Sequence, residues 1–382
     1  MPNAHSERPA SASYRWINCP GSIRISRQCQ QDTEGSVYAT EGTFAHAVAE
    51  LKLRIATDKT VKAAELKKLT KDPLWDGELD EATNFYRDLV MEHLAGAGES
   101  GELMIEQRVD YSLWVPGGWG TSDAVIVSDD TLEIIDLKYG KGIRVDAKDN
   151  PQMRLYALGA YAVFGELFDF DKVRTTICQP RLDHISSEEL TVKELLAWAD
   201  DVVVPAAKET DEPDAKVCAG DWCRWCPGKA VCRARAEANL QMAKYDFAAP
   251  DLLEPEEIGE ILQKADALTA WAADVQAYAL QQALNGEHYA GYKLVEGRSV
   301  RKYADELKVA ETLQAAGYDE AMLYERKLLG LTAMEKLVGK KKLTETLGDL
   351  IIKPAGKPVL VPESDKREAI NSAAQAAADF ND

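Results

Sequence analysis

A chain of 382 residues, 46% of them apolar and 29% charged, can bury a full core and is long enough for two domains, or for one large domain with an appendage. It has no run of 18 apolar residues, which excludes a membrane-spanning helix. Residues 1–16 lack the apolar stretch of a secretory signal, so a cytoplasmic protein is expected. A formal net charge of −19 excludes a generic nucleic-acid coat, because a uniformly acidic surface repels a polyanion.

The positive charge is nevertheless gathered. Residues 8–27 carry Arg8, Arg15, Arg24 and Arg27 with no acid among them, and residues 222–235 carry Arg224, Lys229, Arg233 and Arg235, again with none. The stretch 138–154 holds Lys138, Lys141, Arg144, Lys148 and Arg154 against Asp146 and Asp149.

In chain order, helical spacing predicts a helix over 40–56, with Thr40 as its N-cap, and a second over 79–97. Three strands follow at 103–110, 122–128 and 131–138, separated by the glycine-rich turn 117–120 and by Asp129–Asp130. Pro151 opens a helix running to about Leu167, a strand fits 172–179, and a helix fits 191–208. The acidic segment 209–214 reads as a loop. Beyond residue 247, helices fit 254–285, 304–316 and 319–327, and a proline-punctuated tail completes the chain. The order of elements suggests an α/β (α+β mixed) fold, a small mixed sheet flanked by helices.

Residues 131–142 read TLEIIDLKYGKG. Alternate strand residues share a face, so Asp136 and Lys138 point one way while Ile135 and Leu137 point the other. One strand earlier, Gly120-Thr121-Ser122-Asp123 supplies a second carboxylate after a turn. Two carboxylates on adjacent strands can hold Mg2+ or Mn2+, which prefer oxygen ligands, and such an ion lowers the pKa of bound water and stabilises phosphate charge. Lys138 could position the attacking water or neutralise a developing oxyanion. Upstream, Gly42, His46 and Glu50 recur at helical spacing, Gly42 allowing close backbone approach and His46 offering a nitrogen ligand. Downstream, Gln152 and Tyr156 are also four apart on a helix.

The ordered set G-x-x-x-H, G-x-x-D, D-x-K, Q-x-x-x-Y resembles the RecB-like branch of the PD-(D/E)XK nucleases, which includes AddB-type and CRISPR-associated exonucleases. The resemblance covers roughly residues 12–240 and implies a restriction-endonuclease-like core sheet. It implies that His46, Asp123, Asp136 and the Leu137 carbonyl are metal ligands, that Lys138 is the catalytic lysine, and that Gln152 and Tyr156 contact DNA or orient the site. Glu106, on the first strand, matches an acid often found there and carries less weight. Asp136 stands where many relatives have glutamate, and the family pattern tolerates either.

Seven cysteines, four of them within fifteen residues, point to metal ligation rather than disulfides in a cytoplasmic chain. Cys223, Cys226 and Cys232 offer three thiolates in ten residues, and one more soft ligand would complete a tetrahedral site. No second C-x-x-C pair is present, as a zinc ribbon would need. In the resembling family, one cysteine before the core and three after it hold a 4Fe–4S cluster, which would make Cys19 the fourth ligand. Zinc in the same thiolates is the alternative. Cys218 is a possible substitute ligand, and Cys29 and Cys178 read as ordinary thiols. Trp222 and Trp225 would shield the cluster or stack on bases.

These readings divide the chain into a nuclease domain over 1–240 and a mainly helical region over 241–382, the latter a DNA-guiding, oligomerising or partner-docking element. The whole chain looks like an uncharacterised phage and prophage family with this core. The expected function is a metal-dependent DNA exonuclease in phage recombination or DNA processing, acting in the host cytoplasm. The expected partners are DNA and, by analogy, a phage single-strand annealing protein; a homo-oligomer would suit processive work. The alternatives are a non-catalytic DNA- or protein-binding module that retains the fold and cluster, and an iron–sulfur redox sensor.

Overall fold

The computed structural model describes residues 6–29, 37–58, 63–240 and 255–293, together with 295, 306–316, 323, 334, 337, 339–347 and 350–351. The chain divides into two compact units, Met1–Gln282 and Ala283–Asp382. The expected helix at 319–327 and the tail from 352 lie outside the described residues, apart from Leu323.

The first unit is organised by a five-stranded sheet in the order β1 (Glu102–Asp110), β2 (Trp119–Val127), β3 (Thr131–Leu137), β4 (Lys172–Gln179), β5 (His184–Thr191). β3 and β4 run parallel and the other neighbours are antiparallel. Parallel neighbours need a crossover, and α6 (Pro151–Phe164) supplies it. Asn150 caps that helix by accepting from the Gln152 and Met153 amides, with Pro151 at the position where no N–H is needed.

Before the sheet come α1 (Ser13–Asn18), α2 (Ser22–Gln28), α3 (Val37–Thr57), α4 (Ala63–Leu69) and α5 (Gly77–Gly96). After it come α7 (Val192–Trp198), α8 (Val204–Glu209), α9 (Arg233–Leu240) and α10 (Pro255–Leu284). In the second unit, α11 (Glu306–Ala315) and α12 (Lys340–Leu347) are described.

β2 and β3 are apolar on both sides because both of their faces are covered. Ala124, Ile126, Ile135 and Leu137 pack against Ala49 and Leu53 of α3 and Tyr86, Leu89 and Val90 of α5. Val125, Val127, Leu132 and Ile134 belong instead to the larger core with Leu155, Leu158 and Leu195. Asp123 has the strand parity of Val125, and Asp136 that of Ile134. Both carboxylates therefore emerge on the α6 side.

The predicted helix over 191–208 is a continuous helical run from Val192 to Glu209, widened to a π turn at Ala199–Val203 just before Pro205, whose missing N–H removes one helical hydrogen bond. One strand was missed from sequence. β5 was not expected as a strand, and its sequence HISSEELT offers only Ile185 and Leu190 as apolar residues. It is an edge strand, which needs only one covered face.

Helix α6 approaches β1 through Gly159, where a methyl group would come within 2.9 Å of Val109 Cβ and 3.1 Å of the Asp110 nitrogen. Gly159→Val is expected to cost about 1–3 kcal/mol by overpacking against backbone, read as a lower midpoint in chemical denaturation. An unchanged midpoint would mean that α6 does not rest on β1 at this point.

Candidate metal centre

Register across the β1–β2 ladder pairs Ile105 with Ala124 and Gln107 with Ser122, so Glu106 stands opposite Asp123. Like charges placed directly across a ladder destabilise it. Glu106 also adopts φ +52°, a left-handed conformation that costs a non-glycine residue about 1–3 kcal/mol. Repulsion and strain are thus concentrated at one point of the sheet.

Asp123 is held from two sides. Its Oδ2 accepts from the Leu137 amide at 2.7 Å, and its Oδ1 lies 3.1 Å from His46 Nδ1 on α3. His46, Glu106 and Asp123 each offer a ligand atom, all within 4.8 Å of one another, and they form the one such set of His, Cys, Asp and Glu side chains among the described residues. A nitrogen and two carboxylate oxygens suit a small divalent cation that keeps open positions for water.

Asp136 stands beside this set, 3% exposed. Its Oδ2 is ion-paired with Lys138 Nζ at 2.8 Å. Gln152 fixes the neighbourhood: its Oε1 accepts from Lys138 Nζ at 3.0 Å, and its Nε2 reaches Asp136 Oδ1 and the Tyr156 hydroxyl, each at 3.3 Å. The Tyr156 ring lies over Gly120, where a Cβ would come within 2.8 Å of it. The glycine of Gly120-x-x-Asp123 therefore makes room for the tyrosine of Gln152-x-x-x-Tyr156.

The site residues expected from sequence fall as follows. His46 and Asp123 meet directly, while Asp136, Lys138, Gln152 and Tyr156 are linked by hydrogen bonds and an ion pair. Leu137 takes part through its amide. Glu106 joins His46 and Asp123, although sequence reasoning gave it little weight; its signal is the register that sets it across from Asp123. On α3, Glu50 pairs with Arg54 at 2.8 Å and its charge reaches Glu106, and a Cβ at Gly42 would meet no protein atom within 4 Å.

Burial disfavours a charged imidazole at His46, but the Asp123 and Asp136 carboxylates outweigh it and raise its pKa to about 9. Burial, then Asp123 and Glu50, lift Glu106 to about 7. Burial likewise raises Asp136, against the pull of Lys138. At Lys138 burial opposes the charged form, yet the Asp136 carboxylate prevails and keeps the ammonium charged.

A second group of residues joins the two ends of the first unit. The Cys218 amide donates to Cys19 Sγ at 3.3 Å, and the Gly220 amide to Cys223 Sγ at 3.4 Å. The Gly21 amide donates to Lys216 O at 2.9 Å, and a Cβ at Gly21 would come within 2.6 Å of Ala215 O. Gly228 presses on Ile25 in the same way. Cys19, Cys223 and Cys226 are buried, and Cys232 is half-buried. No three of their sulfurs close to within 4.8 Å. A single zinc ion with 2.3 Å bonds would need sulfurs about 3.8 Å apart.

Both raised groups make stability depend on pH in the same direction. His46, raised above its unfolded value of 6.5, stabilises fully below that value, and the contribution is lost as pH rises to about 9. Glu106, raised above 4.5, loses its contribution as pH rises through about 7. The Tm of metal-free protein is therefore expected to fall between pH 6 and 9, and Mn2+ is expected to raise Tm more at the alkaline end, where it need not displace protons. Scanning fluorimetry with and without Mn2+ measures both; a Mn2+ shift independent of pH would remove His46 and Glu106 from the ligand set.

The solved structure titled "Crystal structure of SSO0001" is similar over 58% of this chain and 96% of that chain, at 15% identity and a TM-score of 0.22. Among the described residues, no helix is long and apolar enough to cross a membrane. Residues 5–368 match the family described as "Protein of unknown function (DUF2800)", and the chain belongs to that family.

Proposed function

We propose that this protein is a Mg2+- or Mn2+-dependent DNA nuclease of the RecB-like PD-(D/E)XK kind, acting as an exonuclease in phage recombination or DNA processing. The observation that carries this reading is the convergence of His46, Glu106 and Asp123 beside the hydrogen-bonded group Asp136, Lys138 and Gln152. The facing carboxylates, with the imidazole of His46 between α3 and the sheet, fit a cation bound by His46, Glu106 and Asp123, with the buried Asp136 at its side. When bound, the cation would supply an activated water and neutralise charge on the scissile phosphate.

The remaining work falls to the chain's own groups. Lys138 presents its ammonium at the site, held by Asp136 and the Gln152 carbonyl, where it can orient the attacking water or stabilise the oxyanion of the departing DNA strand. Gln152 keeps Lys138, Asp136 and Tyr156 in register through a single side chain. The Tyr156 hydroxyl is available to a phosphate oxygen.

Cys19, Cys223, Cys226 and Cys232 are proposed to hold a 4Fe–4S cluster, with amide donors to the sulfurs of Cys19 and Cys223 stabilising thiolate charge. A cluster there would tie residue 19 to residues 223–232 and restrict the unfolded chain as a long-loop cross-link does.

Cleavage of end-labelled DNA in Mn2+, Mg2+ or EDTA tests the reading. Lys138→Met and Asp123→Asn are each expected to lower the rate at least about 100-fold. Asp123→Asn relieves the repulsion with Glu106 but gives up the ion pair with His46, so its Tm is measured beside the rate to separate lost chemistry from lost structure. Metal-independent cutting, or full activity in both variants, would overturn the nuclease reading. Cys226→Ser is expected to lower iron content and Tm together in anaerobically purified protein; normal values of both would remove the cluster.

A further inference from the structure

Two tryptophans flank Cys223 in the turn Asp221–Trp225, and they are placed differently. Trp222 is half-buried; its Nε1 donates to Cys218 O at 2.9 Å, and its ring meets Tyr14 edge-on at 6.0 Å. Trp225 is 72% exposed, and its ring contact among the described residues is the Arg224 guanidinium, 5.7 Å from the centroid. The first indole fastens the turn to its surroundings, whereas the second is turned out to solvent, where so large an apolar surface gains nothing from folding.

The segment carrying Trp225 is well tied. The Cys223 amide donates to Gly220 O, the Cys226 amide to Cys223 O and the Lys229 amide to Cys226 O, at 3.0–3.1 Å. Gly228 is buried against Ile25 of α2. The nearby charges divide in the same way as the tryptophans. Lys229 and Arg235 both pair with Asp274 of α10, at 2.7 and 2.6 Å. Arg224 and Arg233 are exposed, and neither has a carboxylate within 4.0 Å among the described residues. Asp221 is the acid at the start of the turn. In a chain of net charge −19, this segment still exposes Arg224 against an unburied indole and Arg233 eight residues beyond Trp225, neither with a carboxylate partner among the described residues.

We infer that Trp225, with Arg224 and Arg233, is a binding platform for single-stranded DNA, the indole stacking on one unpaired base and the two arginines meeting flanking phosphates. The inference rests on the reading of DNA as substrate and extends it to a surface outside the metal centre. The bases of a duplex are already stacked on each other, so an exposed indole gains little from them; an unpaired base offers a whole π face. The arginine already near the ring adds a cation that can sit against phosphate or against the base itself. A purely electrostatic contact would need no tryptophan, and a purely apolar protein contact would not place an exposed arginine against it.

The test is fluorescence anisotropy of a short labelled oligothymidylate and of a blunt duplex, with Ca2+ in place of a catalytic ion. The proteins are the full chain, Trp225→Ala and Trp225→Phe. Trp225→Ala is expected to weaken oligothymidylate binding about ten-fold and duplex binding less than about two-fold, with an unchanged Tm because the side chain is exposed. Trp225→Phe, which keeps a ring, is expected to retain most of the affinity. Equal losses on both ligands, or no loss, overturn the platform. Unchanged binding by Trp225→Ala alongside metal-dependent cleavage by the parent removes the platform and leaves the nuclease reading standing. No DNA binding by the parent removes the platform, and the cleavage assay then decides the nuclease reading separately.

Discussion

Asp123 and Glu106 face each other across adjacent strands, and much of the surrounding structure serves to keep two carboxylates where they repel. The Leu137 amide fixes one oxygen of Asp123, and His46 reaches the other from α3. Glu106 takes a backbone conformation that its side chain makes costly. Strain and like charge held together by a packed scaffold are features that cluster at functional sites. The donor set here, one imidazole nitrogen and two carboxylate oxygens, suits a small divalent cation.

Everything around that point is buttressed by elements packed on both sides of β2 and β3. Helix α3 brings His46 because Ala49 and Leu53 on the same helix are buried against the sheet. Helix α6 brings Gln152 and Tyr156 because Gly159 lets it lie close on β1, and Gly120 leaves room for the Tyr156 ring. The N-terminal segment closes the unit. Arg8 bonds to Thr210, to Pro116 O and to Asp211, and Tyr111 donates to the backbone at Arg8 and Trp119. These contacts also set Gly21 against residues 215–217 and so bring Cys19 to the cysteine-bearing segment.

The pairing of Asp136 with Lys138 was legible because a strand has a fixed period of two, and β3 is a strand as expected. The helical spacing of Gln152 and Tyr156 was legible for the same kind of reason. Glu106 was harder, because its role depends on register across β1 and β2, and register is set by the turn of residues 111–118 and by burial rather than by the strand itself. The role of Gly42 was not legible from spacing, since a Cβ there would meet no protein atom within 4 Å. β5 was hidden by its polarity, and the π turn between α7 and α8 needed the consequence of Pro205 to be followed one turn upstream. The short helices α1 and α2 carry too few turns for a periodic signal, although they hold the buried Trp16 and precede the contact between Cys19 and Cys218.

The most direct measurement is anomalous scattering at the manganese edge from a crystal of the full chain soaked in Mn2+. The account requires a peak within bonding distance of His46, Glu106 and Asp123, with Asp136 adjacent and the His46 ring deprotonated on the metal side. A peak elsewhere, or none at a concentration that supports cleavage, would contradict it.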